Sequence, residues 1–537
     1  MMRRLITPIL LLTLPLAFFC SFFHPAILDI GNAGWLIRGS DNGANALGAH
    51  AYWHDPAAGV SLKTTLLNAP EGVPVLFTDS NPLVTLLAKP FASLLPADAQ
   101  LVGPFILFSL ILQAGFAWLL LRHHAPGAVA LWAGVVLLAF PPTLANRFVH
   151  VNLMAHWTIL AASYLFLDTN RGRQFRWWAP LVTVTALTHS YLLIMVGAVW
   201  ASAMVVCFMA GTRHTRLQTL MHGATMLALV AMLAWWLGVG GQVSSGSFGA
   251  FSMPLDALWN PAVEGFSTLL PAYERSPGRG FEGFHYLGAG GLLLIATAAL
   301  IAWRHPPRES ERIIAQRLRG LVPALVVLAG LAIVRLSLPA QILTVLDPIR
   351  ASGRLFWPVG YIFVLMALLA VFRLRARDAG LVLSGMIALQ VIDLSGMANS
   401  IRAQSQEAGK HRLYVRTVDP RWDPLVNQSA SIAFMPGEDM TRDLGLFQEI
   451  AWRAAKARRP VNNVYAARTS KASTHRLATA AAAFKRGELV SDRLYVLLAD
   501  VSLPAIAAPR ILKLDGVTII TPLGFRYPQT NPVRHNE

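Results

Sequence analysis

Residues 101–121 read LVGPFILFSLILQAGFAWLLL. This stretch carries no charged side chain. It is long enough to cross the roughly 30 Å hydrocarbon core of a bilayer as an α-helix, because a helix rises about 1.5 Å per residue. Comparable apolar blocks recur along the chain and predict about eleven helical spans. These lie near residues 5–25, 101–121, 127–145, 152–168, 177–189, 190–211, 219–239, 287–303, 320–337, 355–372 and 379–397.

The composition agrees with a membrane protein. Of the 537 residues, 55% are hydrophobic and only 14% are charged, whereas soluble domains carry roughly a quarter charged residues. The formal net charge is +17, but most arginines stand in short clusters between apolar blocks, so we expect no nucleic-acid partner. Cys20 and Cys207 both lie within apolar runs, which argues against a disulfide framework or a cysteine metal site.

The short basic segments predict the orientation of the chain. Sixteen Lys and Arg residues fall in segments that become cytoplasmic when the N-terminus is placed inside, as the positive-inside rule requires. The run after Arg3 and Arg4 is interpreted as an uncleaved first span, because no small-residue cleavage site follows it. Three long segments then lie on the outer side, at residues 26–100, 240–286 and 338–354.

A change of composition near residue 398 predicts a second domain. Residues 398–537 hold 20 of the 45 Lys and Arg residues and no further apolar span. Their patterns predict amphipathic helices and short buried strands, near residues 440–457, 472–486, 494–498 and 516–520. We therefore expect a mainly α protein, with a polytopic membrane domain over residues 1–397 and a soluble, non-cytoplasmic α/β domain over residues 398–537.

The first outer segment places two carboxylates beside expected helix starts. Ser40 or Asp41 can cap a helix that begins near Asn42. That helix, aromatic at its end, is expected to lie along the membrane surface. Asp79 stands in a turn-forming stretch just before Pro82, where it can cap the next helix or bind a metal. The local sequence alone favours capping for both carboxylates, because it is the more common role.

Histidines and arginines gather at the outer ends of several predicted spans. Arg147 and His150 flank a short outer turn, and His156 lies one turn further into the next span. His189 falls at the turn between the fifth and sixth spans. Ionisable groups at this depth usually face a polar cavity, although a histidine satisfied by a backbone carbonyl is the alternative.

Two arginines, Arg350 and Arg354, stand at the outer end of a span, where the positive-inside rule disfavours them. A guanidinium fork suits a phosphate or pyrophosphate at the headgroup level, and Arg354 is the deeper and better candidate. An anchor to lipid phosphates is the alternative, and it explains one arginine better than two. Carboxylates, histidines and arginines at one membrane level together predict a cavity for an amphiphile with a phosphate head.

The same residues carry a resemblance to a bacterial family of multi-pass membrane proteins of unassigned function, which has the architecture of the GT-C class of glycosyltransferases. The resemblance covers nearly the whole chain and rests on the order and spacing of its motifs. These motifs are Gly39–Asp41, Phe77–Leu83, Leu153–Trp157, Gly283–Gly288, Arg350–Pro358 and Leu494–Leu497.

The resemblance implies an inverting transfer of a hexose or pentose from a polyprenyl-phosphate-linked donor. The acceptor would be a saccharide, lipid or protein at the periplasmic face of the bacterial inner membrane. It also implies that Asp41 is the catalytic base, since GT-C enzymes usually carry a carboxylate in the first outer loop. The remaining candidates would bind the substrate or its phosphate: Arg147, His150, His156, His189, Arg350, Arg354 and Asp79.

Metal dependence stays open at this point. A divalent cation, Mg²⁺ or Mn²⁺, would have Asp41 and Asp79 as its candidate ligands. This chain has Asp41-Asn42 where relatives are expected to have Asp-Pro. It also lacks the paired acidic residues found in some GT-C enzymes.

Two other classes of function fit parts of the pattern. A non-catalytic transporter or flippase of lipid-linked saccharides needs the arginines but no base. Transporters often show internal repeats, and the sequence shows none. An envelope assembly scaffold would use the basic tail to bind acidic polysaccharide or partner proteins, but it leaves the polar residues at the membrane face unexplained.

Overall fold

The computed structural model of the chain describes residues 2–240, 248–273, 279–333, 346, 349–466, 468, 470–498 and 503–526, except for the side chains of residues 2–5 and 279. Within these residues the protein is mainly helical. The α-helices are α1 (Met2–Phe22), α2 (Asp41–His54), α3 (Pro82–Ala88), α4 (Val102–Leu121), α5 (Ala128–Ala139), α6 (Pro142–Ala145), α7 (Trp157–Leu167), α8 (Phe175–Ala186), α9 (Ser190–Ala210), α10 (Arg213–Trp236), α11 (Arg279–Glu282), α12 (Gly288–Arg304), α13 (Glu309–Leu318), α14 (Val322–Ile333), α15 (Trp357–Val371), α16 (Ala376–Asp393), α17 (Ser395–Ser405), α18 (Trp422–Gln428), α19 (Leu444–Lys456) and α20 (Lys471–Lys485).

The described strands form two small sheets. An antiparallel pair joins β1 (Lys63–Thr64) to β2 (Val73–Pro74). The larger sheet has the order β3-β4-β6-β5 and lies in the C-terminal part of the chain. Its first pair is parallel and its other two pairs are antiparallel. Its strands are β3 (Ser431–Met435), β4 (Arg493–Leu497), β5 (Ile511–Leu514) and β6 (Val517–Ile520).

The C-terminal predictions are confirmed. The predicted strands coincide with β4 and β6, and the predicted helices coincide with α19 and α20. In the register of the parallel pair, Ile432 is opposite Leu494 and Phe434 is opposite Val496. The four consecutive residues Leu494 to Leu497 of β4 are buried, so apolar residues on both faces of the strand explain why a continuous apolar run marks it.

The chain folds into two compact units. Unit 1 comprises Met1–Leu28, Val102–Trp235 and Ser244–Gly409, and unit 2 comprises Asp29–Leu101, Trp236–Val243 and Lys410–Glu537. The residues of unit 2 therefore come from both sides of the boundary that the sequence analysis places near residue 398. Most of the first long outer segment belongs to the same compact unit as the C-terminal region.

Helix length supports fewer spans than the apolar blocks suggest. Each of the eleven predicted stretches contains a helix, but among the described residues four helical segments are long and apolar enough to cross a membrane. These are α4, α9, α10 and the continuous segment Ser352–Val371 that contains α15. The number rises to seven if each of three bent helix pairs counts as one span. The predicted span at 320–337 is described only as far as residue 333.

Breaks within the apolar blocks account for the short helices. The pair Ala128–Ala139 and Pro142–Met154 bends by 42°, where Pro141 and Pro142 interrupt the helical hydrogen-bond ladder. Bends of 114° and 53° separate α12 from α13 and α16 from α17. An apolar run can thus be long enough for a span while the helix inside it is shorter.

A buried carboxylate joins two helices of unit 1. Asp393, at the end of α16, is fully buried. It accepts a hydrogen bond from the Tyr286 hydroxyl at 2.7 Å and one from the Ala289 backbone N–H at 2.8 Å. The Ser267 hydroxyl also donates to it. Because an unsatisfied buried carboxylate is costly, these contacts hold the start of α12 against the end of α16.

Unit 2 is built around α2. Twelve of its fourteen residues, Asn42 to Trp53, are buried, and the helix packs against α19. Gly48 lies so close to Thr78 and Ser80 that a Cβ atom there would overlap both hydroxyls. The expectation that this helix lies along the membrane surface is therefore wrong, because its faces are covered by other parts of the same unit.

Candidate functional site

An open groove in unit 1 has a cavity volume of about 470 Å³ and is lined mainly by apolar side chains. Phe18 and Phe22 of α1 form one wall, and Ile387 and Val391 of α16 form another. Concave apolar sites of this kind bind hydrophobic ligands. The groove is large enough, and apolar enough, to hold part of a long hydrocarbon chain.

A smaller and more polar cavity of about 30 Å³ adjoins this groove. The two share the lining residues Leu137, Pro141, Leu287 and Val364. The wall of the smaller cavity adds five side chains with polar atoms, Thr143, His156, His285, Trp357 and Tyr361. The joined cavities thus offer one long apolar part and one polar end, which is the shape of an amphiphile's binding site.

Hydrogen bonds determine the tautomer of His156. Its Nδ1 lies 2.9 Å from the Tyr361 hydroxyl oxygen, and the Gln113 side-chain amide donates to that oxygen at 2.9 Å. The hydroxyl proton of Tyr361 then has Nδ1 as its acceptor, so the imidazole proton resides on Nε2. Among the described residues, neither His156 Nε2 nor Trp357 Nε1 has a hydrogen-bond partner.

These two nitrogens determine which kind of ligand the polar cavity suits. Both side chains are buried, and their ring centroids lie 4.2 Å apart. A buried N–H without an acceptor is unfavourable, so the pair suits a ligand that brings acceptor oxygens. A phosphate or a sugar provides such oxygens.

Glu282 holds together the arginines and histidine that the sequence places near the same face. Its carboxylate accepts hydrogen bonds from Nε and Nη2 of Arg354 at 2.8 and 2.5 Å, and from Nη1 of Arg147 at 2.8 Å. His150 Nε2 lies 3.6 Å from Oε1 of the same carboxylate. Arg147 Nη2 also donates to the Phe281 carbonyl at 2.5 Å.

The charges around Glu282 keep it ionised. Burial alone would raise the pKa of this carboxyl, but the Arg354 guanidinium, the hydrogen bond with His150 and the charge of Arg147 hold that pKa well below its usual range. Two guanidinium groups face one carboxylate, so the cluster keeps a net positive charge. Glu282 occupies the guanidinium fork of Arg354. This alters the role expected of Arg354, because a phosphate would bind beside this ion pair rather than to a vacant guanidinium.

The cluster lies beside the polar cavity. Arg147 Cζ is 5.8 Å from the ring centroid of Trp357, which lines that cavity. Arg354 Cζ is 4.8 Å from the ring centroid of Tyr191. Four predicted residues, Arg147, His150, His156 and Arg354, thus lie in one region of unit 1.

His189 lies beside the cluster, next to the Tyr191 ring that Arg354 contacts, whereas Arg350 is exposed. His189 is the N-cap of α9, and its Nδ1 accepts a hydrogen bond from the Tyr191 backbone N–H at 3.1 Å. Its ring centroid is 5.7 Å from that of Tyr191. Arg350 is exposed, with Cζ 5.7 Å from the ring centroid of Phe251.

Asp41 belongs to unit 2, and it is not the cap of α2. The N-cap is Ser40, whose hydroxyl accepts a hydrogen bond from the Gly43 N–H at 3.2 Å. Asp41 is the first residue of the helix, and the Tyr465 hydroxyl donates to its Oδ1 at 3.0 Å. The interpretation of Asp41 as a mere cap is therefore wrong.

Asp79 does not cap α3, although it is the C-cap of the preceding 3₁₀ turn. It has a left-handed backbone with a φ of 56° and follows the 3₁₀ turn Val75–Thr78, while Asn81 caps α3 by accepting from the Val84 N–H. The side chain of Asn45 in α2 donates to the Asp79 carbonyl at 2.6 Å. Asp79 thus lies beside the helix that Asp41 begins.

The candidate metal ligands do not form a recognisable centre. In the part of the chain that the structure describes, no group of three or more His, Cys, Asp or Glu side chains is arranged to hold a metal ion. Asp41 and Asp79 alone are fewer ligands than Mg²⁺ or Mn²⁺ usually takes from protein and water together. We derive no step through a metal.

Sequence reasoning missed two site residues, Glu282 and Trp357. Glu282 directly precedes the motif Gly283–Gly288, and Trp357 lies inside the motif Arg350–Pro358. Their positions beside these motifs were the available signal. Nothing in the local sequence, however, indicates that Glu282 meets Arg147 and Arg354.

Fold and site together define a mainly helical protein with helices long and apolar enough to cross a membrane and an amphiphile-shaped cavity in its helical unit. The chain belongs to the family described as a domain of unknown function, DUF6311, whose profile matches residues 12–395. The profile of the DUF6311 C-terminal domain matches residues 421–522. No curated protein matches the chain.

Proposed function

We propose that the protein is a membrane glycosyltransferase of the GT-C class, which transfers a hexose or pentose from a polyprenyl-phosphate-linked donor. Its acceptor would be a saccharide, lipid or protein at the periplasmic face of the bacterial inner membrane. The proposal includes about eleven spans, a cytoplasmic N-terminus and a periplasmic C-terminal region. The short basic segments between apolar helices support this orientation.

The joined cavities of unit 1 are the observation that carries the proposal. The groove of about 470 Å³ suits part of the polyprenyl chain, and the adjoining polar cavity of about 30 Å³ offers N–H donors to a phosphate oxygen. His156 Nε2 and Trp357 Nε1 supply N–H donors at that polar end. The net positive cluster of Arg147, Arg354 and Glu282 adds an attractive field for a phosphate.

In the proposed reaction, Asp41 accepts the proton of the acceptor hydroxyl while the hydroxyl oxygen forms a bond to the anomeric carbon of the donor. The bond between that carbon and the phosphate oxygen breaks, and polyprenyl phosphate leaves with the electron pair. Attack opposite the leaving group inverts the anomeric centre.

The role of Asp41 rests on the resemblance and on its position in the first outer segment. The test is transfer of a labelled sugar from a polyprenyl-phosphate donor by the purified full chain. We expect Asp41→Asn to abolish transfer while folding is retained, because the amide oxygen still accepts the hydrogen bond from Tyr465. The matched control is Asp29→Asn, an exposed carboxylate of the same segment. Full activity of Asp41→Asn would contradict the assignment.

The polar cavity has its own test. Trp357→Phe removes the N–H but keeps an aromatic ring, and we expect it to weaken donor binding by about tenfold, the usual effect of losing one hydrogen bond to a charged group. The control is Trp303→Phe, whose side chain is 80% exposed. Unchanged donor affinity in Trp357→Phe would remove this cavity from the donor site.

A flippase for lipid-linked saccharides would use the same groove and the same donors without a base. The purified protein in vesicles distinguishes the two functions. Glycosylated product with an inverted anomeric centre supports the transferase. Movement of the lipid-linked sugar across the vesicle membrane without product, unaffected by Asp41→Asn, would favour the flippase instead.

A further inference from the structure

A second cavity in unit 1 is basic and lies among the short segments that join the helices. Its cavity volume is about 410 Å³. It is formed by the end of α4 and the loop after it, the end of α7, α13, and one residue of α15. It shares no lining residue with the groove or the polar cavity of the proposed transferase site.

Three arginines from three separate segments converge on this basic pocket: Arg122, Arg171 and Arg317. Asp168 is the one lining residue with a carboxylate, so three positive charges face one negative charge. Burial, reinforced by His123, lowers the pKa of His124, so this imidazole adds no charge at neutral pH. The pocket therefore has a net charge of about +2 from its ionised side chains.

The arginines retain unused donors. Nη1 of Arg171 donates hydrogen bonds to the Tyr164 hydroxyl at 2.6 Å and to Asp168 at 3.0 Å. Nη1 of Arg317 donates to the Leu167 carbonyl at 2.5 Å. The Arg122 guanidinium stacks 4.7 Å from the Trp118 ring centroid. His124 Nδ1 is buried without a hydrogen-bond partner among the described residues. Among the described residues, the other N–H groups of these guanidinium groups have no acceptor, so they are available to a ligand.

Part of the wall of the basic pocket is aliphatic. This part consists of Leu119, Leu120, Leu167, Ile313, Ile314 and Leu365. A soluble anion gains no binding energy from contact with aliphatic side chains. A phospholipid, in contrast, places its phosphate on the guanidinium groups and its glycerol and first methylenes on the leucines and isoleucines. The positive-inside rule explains the presence of basic residues in these segments, but not their convergence on one cavity.

We propose that this basic pocket binds the headgroup phosphate of an anionic phospholipid. Arg122 and Arg317 supply charge-assisted hydrogen bonds to the phosphate oxygens, and the aliphatic wall holds the start of the acyl chains. Bound lipid bridges α4, α7 and α13, and so stabilises this end of the unit. The pocket is independent of any sugar transfer.

The test uses the purified full chain in a mild detergent, with dioleoyl-phosphatidylglycerol or dioleoyl-phosphatidylcholine added at equal concentrations. We expect phosphatidylglycerol to raise the thermal unfolding temperature and to remain bound in native mass spectrometry, and phosphatidylcholine to do neither. An equal response to both lipids would overturn the proposal. Stabilisation by inorganic phosphate without a response to phosphatidylglycerol would also overturn it, because the ligand would then be a soluble anion.

Matched variants test whether the arginines of this pocket are the site at which phosphatidylglycerol binds. The double variant Arg122→Gln and Arg317→Gln should weaken phosphatidylglycerol binding by about tenfold or more, because two charge-assisted hydrogen bonds are lost. The control double variant, Arg312→Gln and Arg319→Gln, removes the same charge from exposed arginines outside the pocket. Equal weakening in both double variants would show a general charge effect and contradict the site. The comparison of lipids on the unaltered chain remains decisive if the first double variant does not fold.

Discussion

Arg354 holds Glu282 by two parallel hydrogen bonds, with Nε 2.8 Å from Oε2 and Nη2 2.5 Å from Oε1. Both residues are buried within unit 1. Arg147 binds the same carboxylate from another segment. One acidic side chain therefore connects residues that lie more than two hundred positions apart in the sequence, and its removal should affect more than one contact.

Glu282→Gln tests this connection. The substitution leaves two buried guanidinium groups without their counter-charge, and loss of one partner of a buried ion pair costs about 3–5 kcal/mol. We expect a lower thermal unfolding temperature for the full chain in detergent, measured by intrinsic fluorescence. Glu264→Gln, an exposed glutamate of the same outer segment, should leave that temperature unchanged. Similar stability of the two variants would mean that the cluster does not hold unit 1 together.

His50 should make unit 2 sensitive to acid. Burial, reinforced by His54 and Lys456, holds the pKa of His50 well below its usual range. The unfolded chain therefore takes up a proton more readily than the folded chain, and acid favours unfolding. The stability contributed by neutral His50 is complete above about pH 6.5 and is lost below it, by at most about 1.4 kcal/mol per pH unit.

His50→Phe is the corresponding measurement. The new ring can keep the stacking on Trp452, whose ring centroid lies 3.7 Å from that of His50, but it cannot titrate. We expect thermal unfolding of this variant to change less between pH 7.5 and 5.5 than that of the unaltered chain. His54 keeps part of the pH dependence, because its pKa is also lowered by burial. The exposed His475→Gln variant should behave like the unaltered chain, and an unaltered pH profile in His50→Phe would contradict the assignment.

Ser40 and Asp41 can be separated by substitution. Ser40→Ala removes the N-cap of α2 and should cost about 1 kcal/mol of stability. Asp41→Asn should change stability by less than about 0.5 kcal/mol, as is usual away from caps and buried charges. Denaturant unfolding of the full chain measures both. The reverse order would show that Asp41, not Ser40, is the cap.

Gly48→Ala should disturb the packing of α2. Its Cβ would overlap the hydroxyls of Thr78 and Ser80, and overpacking of a buried site costs typically about 1–3 kcal/mol. The control is Gly445→Ala in α19, where the nearest atom would lie 3.7 Å from the new Cβ. Thermal unfolding should show a loss for the first variant only, and tolerance of Gly48→Ala would mean that the 78–80 segment moves easily.

The sequence predicted those features that depend on local pattern. The apolar blocks marked the helices, and alternating or continuous apolar runs marked β4 and β6. Polar residues at the outer ends of spans indicated a polar cavity, and four of them, Arg147, His150, His156 and Arg354, do lie in one region of unit 1. Each of these signals is contained within a window of a few residues.

The features that were missed depend on distant partners. The burial of α2 is due in part to α19, which lies about four hundred residues further along the chain. Ser40 and Asp41 are equally good caps by residue type, and only the geometry of the turn selects Ser40. Asn81 and Asp79 present the same ambiguity. In the sequence, nothing distinguishes Glu282 from any other acidic residue of a long loop. Its contacts with Arg147 and Arg354 are formed only in the folded protein.

Unit 2 combines an early and a late segment of the chain, and this has a consequence for biosynthesis. Leu66, Asn68 and Ala69 share backbone hydrogen bonds with Val461 and Asn463, so the first outer segment cannot complete its fold until the ribosome has made the C-terminal region. For most of translation this early segment, with α2 and its buried residues, has no partner to cover it. Such exposed apolar surface is prone to aggregation, so we expect a chaperone to protect this segment in the nascent chain.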